Sequence, residues 1–206
     1  YGDSGMLSSK GFFPGWGRDA ETAVMRLEML SMMIADGNTM LLGYMPLFRS
    51  VVITSVHGWF AQSGVLGRAD SGGQITYVLH QARNMAEALK ELFRESGLPE
   101  EDDPQVIILT RLIPNNDGTT CNMPVEKVSG MENVNILRVP FAESDDFIER
   151  YFVGPHMSRF ADDAASRISG FLEERGLDPS PDVIMGNYSD GVLAAALLRL
   201  RHFPDA

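Results

Sequence analysis

Two short stretches carry residue types that can do chemistry. In "SVHGWFAQSG", His57 stands just past an apolar run. In "RADSGGQITYVLHQARNM", Gly72 and Gly73 stand directly before Gln74 and an amphipathic helical pattern. The unpaired N–H groups and dipole of a helix N-terminus favour an anion, most often phosphate. A Cβ at Gly72 or Gly73 would hold such a ligand away from those amides. "DSGG" reads equally well as an ordinary turn with a helix cap. Neither G-x-G-x-x-G nor a P-loop lysine is present, so a phosphate would not be held in the NAD or ATPase manner. His57 has two readings as well: a hydrogen-bonded core histidine, which the residue alone favours, or a site imidazole at a strand end.

Weaker candidates surround these. Arg111, at the end of an apolar run, could reach a cleft or pair with a nearby carboxylate. Ser189 reads most simply as a helix cap, Cys121 as a small structural residue and His80 as structural beside an apolar helix face. His156 and His202 sit at helix ends, where surface capping is the default. No His/Cys/Asp spacing suggests a metal site. Met25, Met29, Met32 and Met33 read as core filler and interdomain contact, and "EEDD" at 100–103 as a solvated loop.

The elements that must position these residues follow from hydrophobic periodicity. Residues 1–17 are Gly- and Ser-rich and read as loop; Asp19 can cap a helix to about Ala35, with Val24, Leu27, Leu30 and Ile34 at helical spacing. "MPLFRS" is a connector, and 1–48 reads as a helical leader and linker. From 49 to 206 the pattern alternates. "SVVITSV", "QVIILT", "NILRVPF" and "DVIMGNY" read as strands. Helices are expected at 74–95, with Ile75, Val78, Leu79, Ala82, Met85, Ala86, Leu89 and Phe93 on one face, from about His156 to Glu174, and as a buried helix over "DGVLAAALLRLRH". Asp145 or Asp146 can start a further short one. "RLIPNNDGTTCNMPVEKVSGMEN" reads as a long loop. Continuous apolar strands separated by helices predict a Rossmann-like, doubly wound, mainly parallel sheet with helices on both faces. Ligands of such sheets sit outside the carboxyl ends of the strands. His57–Gln74, Arg111–Cys121 and Gly186–Asp190 fall there and can converge on one crevice.

Composition bounds the rest. The chain has 206 residues, 44% hydrophobic, with net charge −11 and a single cysteine. That supports one full domain with a real core. An acidic chain without a basic cluster is a poor binder of nucleic acid or anionic membrane. No run approaches the roughly 18 apolar residues of a membrane span, and no leader is visible. One cysteine allows no internal disulfide, so nothing argues for secretion. The chain begins at Tyr1 and stops after "RHFPDA", which reads as two cut ends.

The stretch "VVITSVHGWFAQSGVLGRADSGGQITYVLHQARNM" resembles the opening of the glycosyltransferase region of sucrose synthases. "ILTRLIPNNDGTTCNMPVEKVSGMENVNILRVPF", "DVIMGNYSDGVLAAALL" and, upstream, "GWGRDAETAVMRLEML" are similar to the same family, in the same order. The resemblance runs from about Trp16 to the end. It implies the amino-terminal, acceptor-side half of a two-domain GT-B glycosyltransferase. Such enzymes interconvert sucrose and a nucleoside diphosphate with UDP-glucose or ADP-glucose and fructose, retaining the anomeric configuration, with no bound metal or cofactor. Gly72 and Gly73 would then border the diphosphate, Gln74 would help hold the sugars and His57 would touch fructose. No catalytic residue is assigned to this chain. The missing carboxyl-terminal domain would be its partner, the chain alone would be inactive, and a cytoplasmic location and self-association would follow.

The chain departs from the family pattern at Val56 and Ala69, where the family has Pro, at Ser71 for Thr and at His80 for Asp. "DDFIERYFVGPHMSRFADDAASRI" departs more widely, so the resemblance assigns no acceptor contact to Arg150 or Arg159. Two alternatives stand: a sucrose-phosphate synthase domain, or a stand-alone, non-catalytic domain binding a sugar or a partner. Between Arg111 and Lys127 the chain holds only those two cations, which favours an unphosphorylated acceptor.

Overall fold

The computed structural model of the chain describes residues 48–95, 103–141 and 147–206, together with Val24, Glu28, Ser31, Met32 and Ala35. These five are helical, in keeping with a helix up to Ala35, and Val24 and Met32 are exposed. The Asp19 cap, the loop at 1–17, the other three methionines, Glu100 to Asp102 and the start at Asp145 or Asp146 lie outside the described residues. The chain divides into two compact units, Tyr1–Arg49 with Glu87–Pro104, and Ser50–Ala86 with Gln105–Ala206. In the first, Lys90 Nζ meets Asp103 at 2.6 Å.

The second unit holds the sheet. Its strands are β1 (Ser50–Thr54), β2 (Gln105–Leu112), β3 (Val125–Lys127), β4 (Val134–Pro140) and β5 (Val183–Gly186), in the order β3-β4-β2-β1-β5. The helices are α1 (Gly73–Glu95), α2 (Met157–Glu173) and α3 (Tyr188–Arg201). β1, β2, β4 and β5 run parallel, with Val52 level with Ile107 and with Ile184. The strands form where β-branched residues run without interruption, and the layers follow from the pleat. Val52, Ile107, Leu109, Leu137 and Val139 turn to one face and pack with Phe160, Ala164, Ile168 and Leu172 of α2 and Ala194 and Leu198 of α3. Val51, Ile53, Ile108 and Ile136 turn to the other and are equally buried. A second layer must cover them, and Ile75, Val78, Leu79, Ala82 and Ala86 of α1 form a stripe that is buried as well.

Three expectations need correction. The long loop after β2 contains β3, which pairs antiparallel with β4, Glu126 level with Ile136. Its three residues are too short to show a period. Helix α3 is not buried all round: Val192, Leu193 and Leu200 are exposed, because it flanks the edge strand β5 and only one side meets the sheet and α2. Ser189 is not its cap. Asn187 occupies that position, and no side chain caps the turn.

Candidate functional site

The chain steps outward from β1 to β2 to β4, then returns to place β5 on the other side of β1. Strand order therefore reverses between β1 and β5, and the crevice outside their carboxyl ends is where such sheets take ligands. Two helix N-termini reach it. At α1, the Gln74 side-chain amide donates to the carbonyl of His57 at 3.1 Å. One turn on, the Tyr77 hydroxyl donates to Asn187 Oδ1 at 2.8 Å, and Asn187 Nδ2 donates to Gln81 at 3.1 Å. At α3, close approach depends on missing side chains: a Cβ on Gly186 would fall 2.5 Å from Val192 Cα.

Gly72 and Gly73 are exposed beside these contacts. Neither has a positive φ, and a Cβ on either would meet nothing within 4 Å. Neither the backbone nor the described residues around it therefore call for glycine at these two positions. Gly58 differs. It adopts φ +80°, and a Cβ there would strike the Asp70 carbonyl at 2.2 Å, so the turn after His57 closes onto the loop that leads into α1.

His57 is 3% exposed. Its backbone N–H donates to Asp190 Oδ2 at 2.8 Å, and its Nδ1 lies 2.8 Å from both carboxylate oxygens. Nε2 has no hydrogen-bond partner among the described residues. Burial pushes the Asp190 carboxyl up, but the hydrogen bond and charge of His57, with two backbone N–H groups, outweigh this and hold it below the usual carboxylate range. Asp190 also lies in the first turn of α3, where the dipole favours an anion.

Around this pair the site is aromatic and cationic. The Tyr188 ring meets the imidazole edge to face at 5.1 Å. Its φ of +59° is strained for a bulky residue. The Arg150 guanidinium lies over the Tyr188 ring at 5.7 Å, and its backbone N–H donates to Asp70 Oδ2 at 2.8 Å. Arg111 is buried. Its Nη1 donates to the Ile148 carbonyl at 2.5 Å and its Nε to that of Gly58 at 3.4 Å, and its guanidinium lies over Phe147 at 4.2 Å. Its Nη2 has no partner among the described residues. Burial lowers its pKa to about 10, against the pull of Asp70 and Asp190.

A family model described as "Sucrose synthase first GT-B domain" matches residues 38–202. The chain belongs to the sucrose synthase family. A sucrose synthase of Acidithiobacillus caldus is 41% identical over 204 residues, 95% of this chain and 25% of that protein. One of Beta vulgaris is 42% identical over 94% of this chain and 25% of its own length. Sucrose synthase 3 of Arabidopsis thaliana is 41% identical over 95% of this chain and 24% of its own. The chain thus spans about a quarter of the length of the curated relatives it matches.

Departures from the sucrose synthase pattern sit quietly in the fold. Ser71 keeps the hydroxyl that its Thr counterpart would supply; Oγ accepts the Trp59 N–H at 2.7 Å. Val56 is buried in the core, and His80 is exposed on α1. Cys121 is fully buried with Sγ 3.5 Å from the Phe60 carbonyl, as a structural cysteine would be. His202 meets Asp162 at 2.8 Å near the end of α3. Of the predicted positions, His57 and Gln74 touch each other, and Gly72 and Gly73 precede Gln74 in the same turn. Asp190 escaped sequence reasoning as a site residue. The family motif "GNYSDG" was the available signal, but its aspartate reads there as an ordinary first-turn acid.

Proposed function

We propose that this domain is the acceptor-side half of a sucrose synthase, transferring glucose reversibly between sucrose with a nucleoside diphosphate and NDP-glucose with fructose. The reaction would occupy a cleft shared with a second GT-B domain, in the cytoplasm, and the chain alone would not turn over. One observation carries the reading beyond family membership: His57 and the open Gly72–Gly73 turn meet at the switch point between β1 and β5, tied by Gln74. Bare backbone at a helix N-terminus suits a diphosphate whose charge grows as the glycosidic bond breaks. The imidazole and the amide suit a neutral, polyhydroxylated acceptor, which needs donors and acceptors rather than charge.

The test is UDP-dependent release of fructose from sucrose. This chain joined to the remaining length of the Acidithiobacillus caldus relative should release fructose, and the chain by itself should release none. Turnover by the chain alone, or a folded fusion that binds neither UDP nor fructose, would refute the proposal.

A further inference from the structure

We infer that Asp190 is a positioning residue for His57: it holds the imidazole with its proton on Nδ1, leaving Nε2 as a bare acceptor at the crevice. The argument starts from donors and acceptors. An ionised carboxylate only accepts. Asp190 is held ionised at the N-terminus of α3, and it takes the His57 backbone N–H and Nδ1 together, each at 2.8 Å. Nδ1 must therefore be the donor. In the neutral imidazole, the form that alkaline buffer secures, there is one N–H, so Nε2 then carries a lone pair. Tyr188 stands edge to face against the ring, and the Gln74 amide on the His57 carbonyl and the Gly58 turn directly after it fix the backbone that carries the ring.

The pairing crosses 133 residues of sequence and links the carboxyl ends of the two strands that flank the switch point. Thr54 repeats the link one layer below, its hydroxyl donating to the Gly191 carbonyl at 2.8 Å. A purely structural histidine in this place would use both ring nitrogens. This one spends Nδ1 on the scaffold and keeps Nε2 free of any described partner. Resting on the proposed function, the consequence is a sense of recognition. His57 accepts a hydrogen bond from an acceptor-sugar hydroxyl, whereas the flipped tautomer would present a donor and suit a carbonyl or phosphate oxygen instead.

Nitrogen-15 spectra of the histidine side chains test this on the 206-residue chain itself. In alkaline buffer, with the resonance assigned by His57→Gln, the unaltered chain should show His57 protonated on Nδ1. In Asp190→Asn the side-chain oxygen can still take the backbone N–H while its NH2 group faces Nδ1, so the proton should move to Nε2. Asp190→Glu should restore part of the original signal. An Nε2–H tautomer in the unaltered chain, or an unchanged tautomer in a folded Asp190→Asn, would overturn the inference. The first of these readings needs no variant to fold. In the two-domain fusion with UDP bound, fructose should shift the His57 Nε2 resonance, and less so in Asp190→Asn, whose Nε2–H can only donate to a sugar hydroxyl. If fructose shifts nothing in that fusion while the proton sits on Nδ1, the positioning role stands and the proposed function falls.

Discussion

The carbonyl oxygen of Thr54 lies 2.6 Å from where a Cβ on Gly191 would fall. β1 and the first turn of α3 thus touch backbone to backbone, with the Thr54 hydroxyl bound to the Gly191 carbonyl. Gly191→Ala must push the two apart, since the obstructing atom is main chain and cannot rotate away. We expect a loss of about 1–3 kcal/mol, the usual cost of overpacking, read as a lower urea midpoint. A midpoint unchanged from the parent would show that α3 can slide freely along β1.

Gly72 and Gly73 should behave in the opposite way. Alanine at either meets no atom and no forbidden φ, and it restricts the unfolded chain, so stability should hold or rise by up to about 1 kcal/mol. In the two-domain fusion, affinity for UDP-glucose should fall at least about tenfold, roughly 1.4 kcal/mol. Full affinity in both alanine variants would remove the diphosphate from this turn.

Glu126 and Arg138 form the charged core of the β3 edge. Arg138 is fully buried; Nη2 donates to Glu126 Oε2 at 2.5 Å and to the Phe60 carbonyl at 2.9 Å, and Nη1 to the Met123 carbonyl at 3.0 Å. Gln62 and Thr120 donate to the two Glu126 oxygens at 2.6 and 2.7 Å. Glu126→Gln leaves the guanidinium charge uncompensated, so the loss should reach about 3–5 kcal/mol. Because Gln62 also accepts the Ser129 N–H, protection of the Ser129 amide from hydrogen exchange should fall with it. Stability within about 0.5 kcal/mol of the parent, the range of a surface change, would mean that water reaches the pair.

Acid should unfold the domain through the same carboxylates. Burial raises the Glu126 carboxyl, but hydrogen bonds from Arg138, Gln62 and Thr120 and the charge of Arg138 bring it below its ordinary value; Asp190 is lowered too. Groups depressed in the folded state stabilise it above their unfolded values, about 3.9–4.3. That contribution is lost as pH falls through the lower folded values. Melting temperature should therefore change little through these groups above about pH 5 and fall steeply below about pH 4. In Glu126→Gln the acid limb should be shallower. An identical limb would assign it to other groups.

Much of this protein is written locally. Val51, Val52 and Ile53 make a strand, and Ile75, Val78, Leu79 and Ala82 make a helical stripe, because side-chain periodicity needs no knowledge of distant partners. The parallel sheet and the carboxyl-edge position of His57 and of the Gly72–Gly73 turn follow from the alternation of such segments. Tertiary structure alone decided the pairings. β5 returns to the far side of β1, Asp190 meets His57 across the switch point, Arg138 finds Glu126, and a three-residue β3 closes the edge. Aspartate in a helix's first turn and arginine within a strand look alike in sequence whether they face water or each other. Their roles depend on burial and on a partner many residues away, and only the folded chain supplies either.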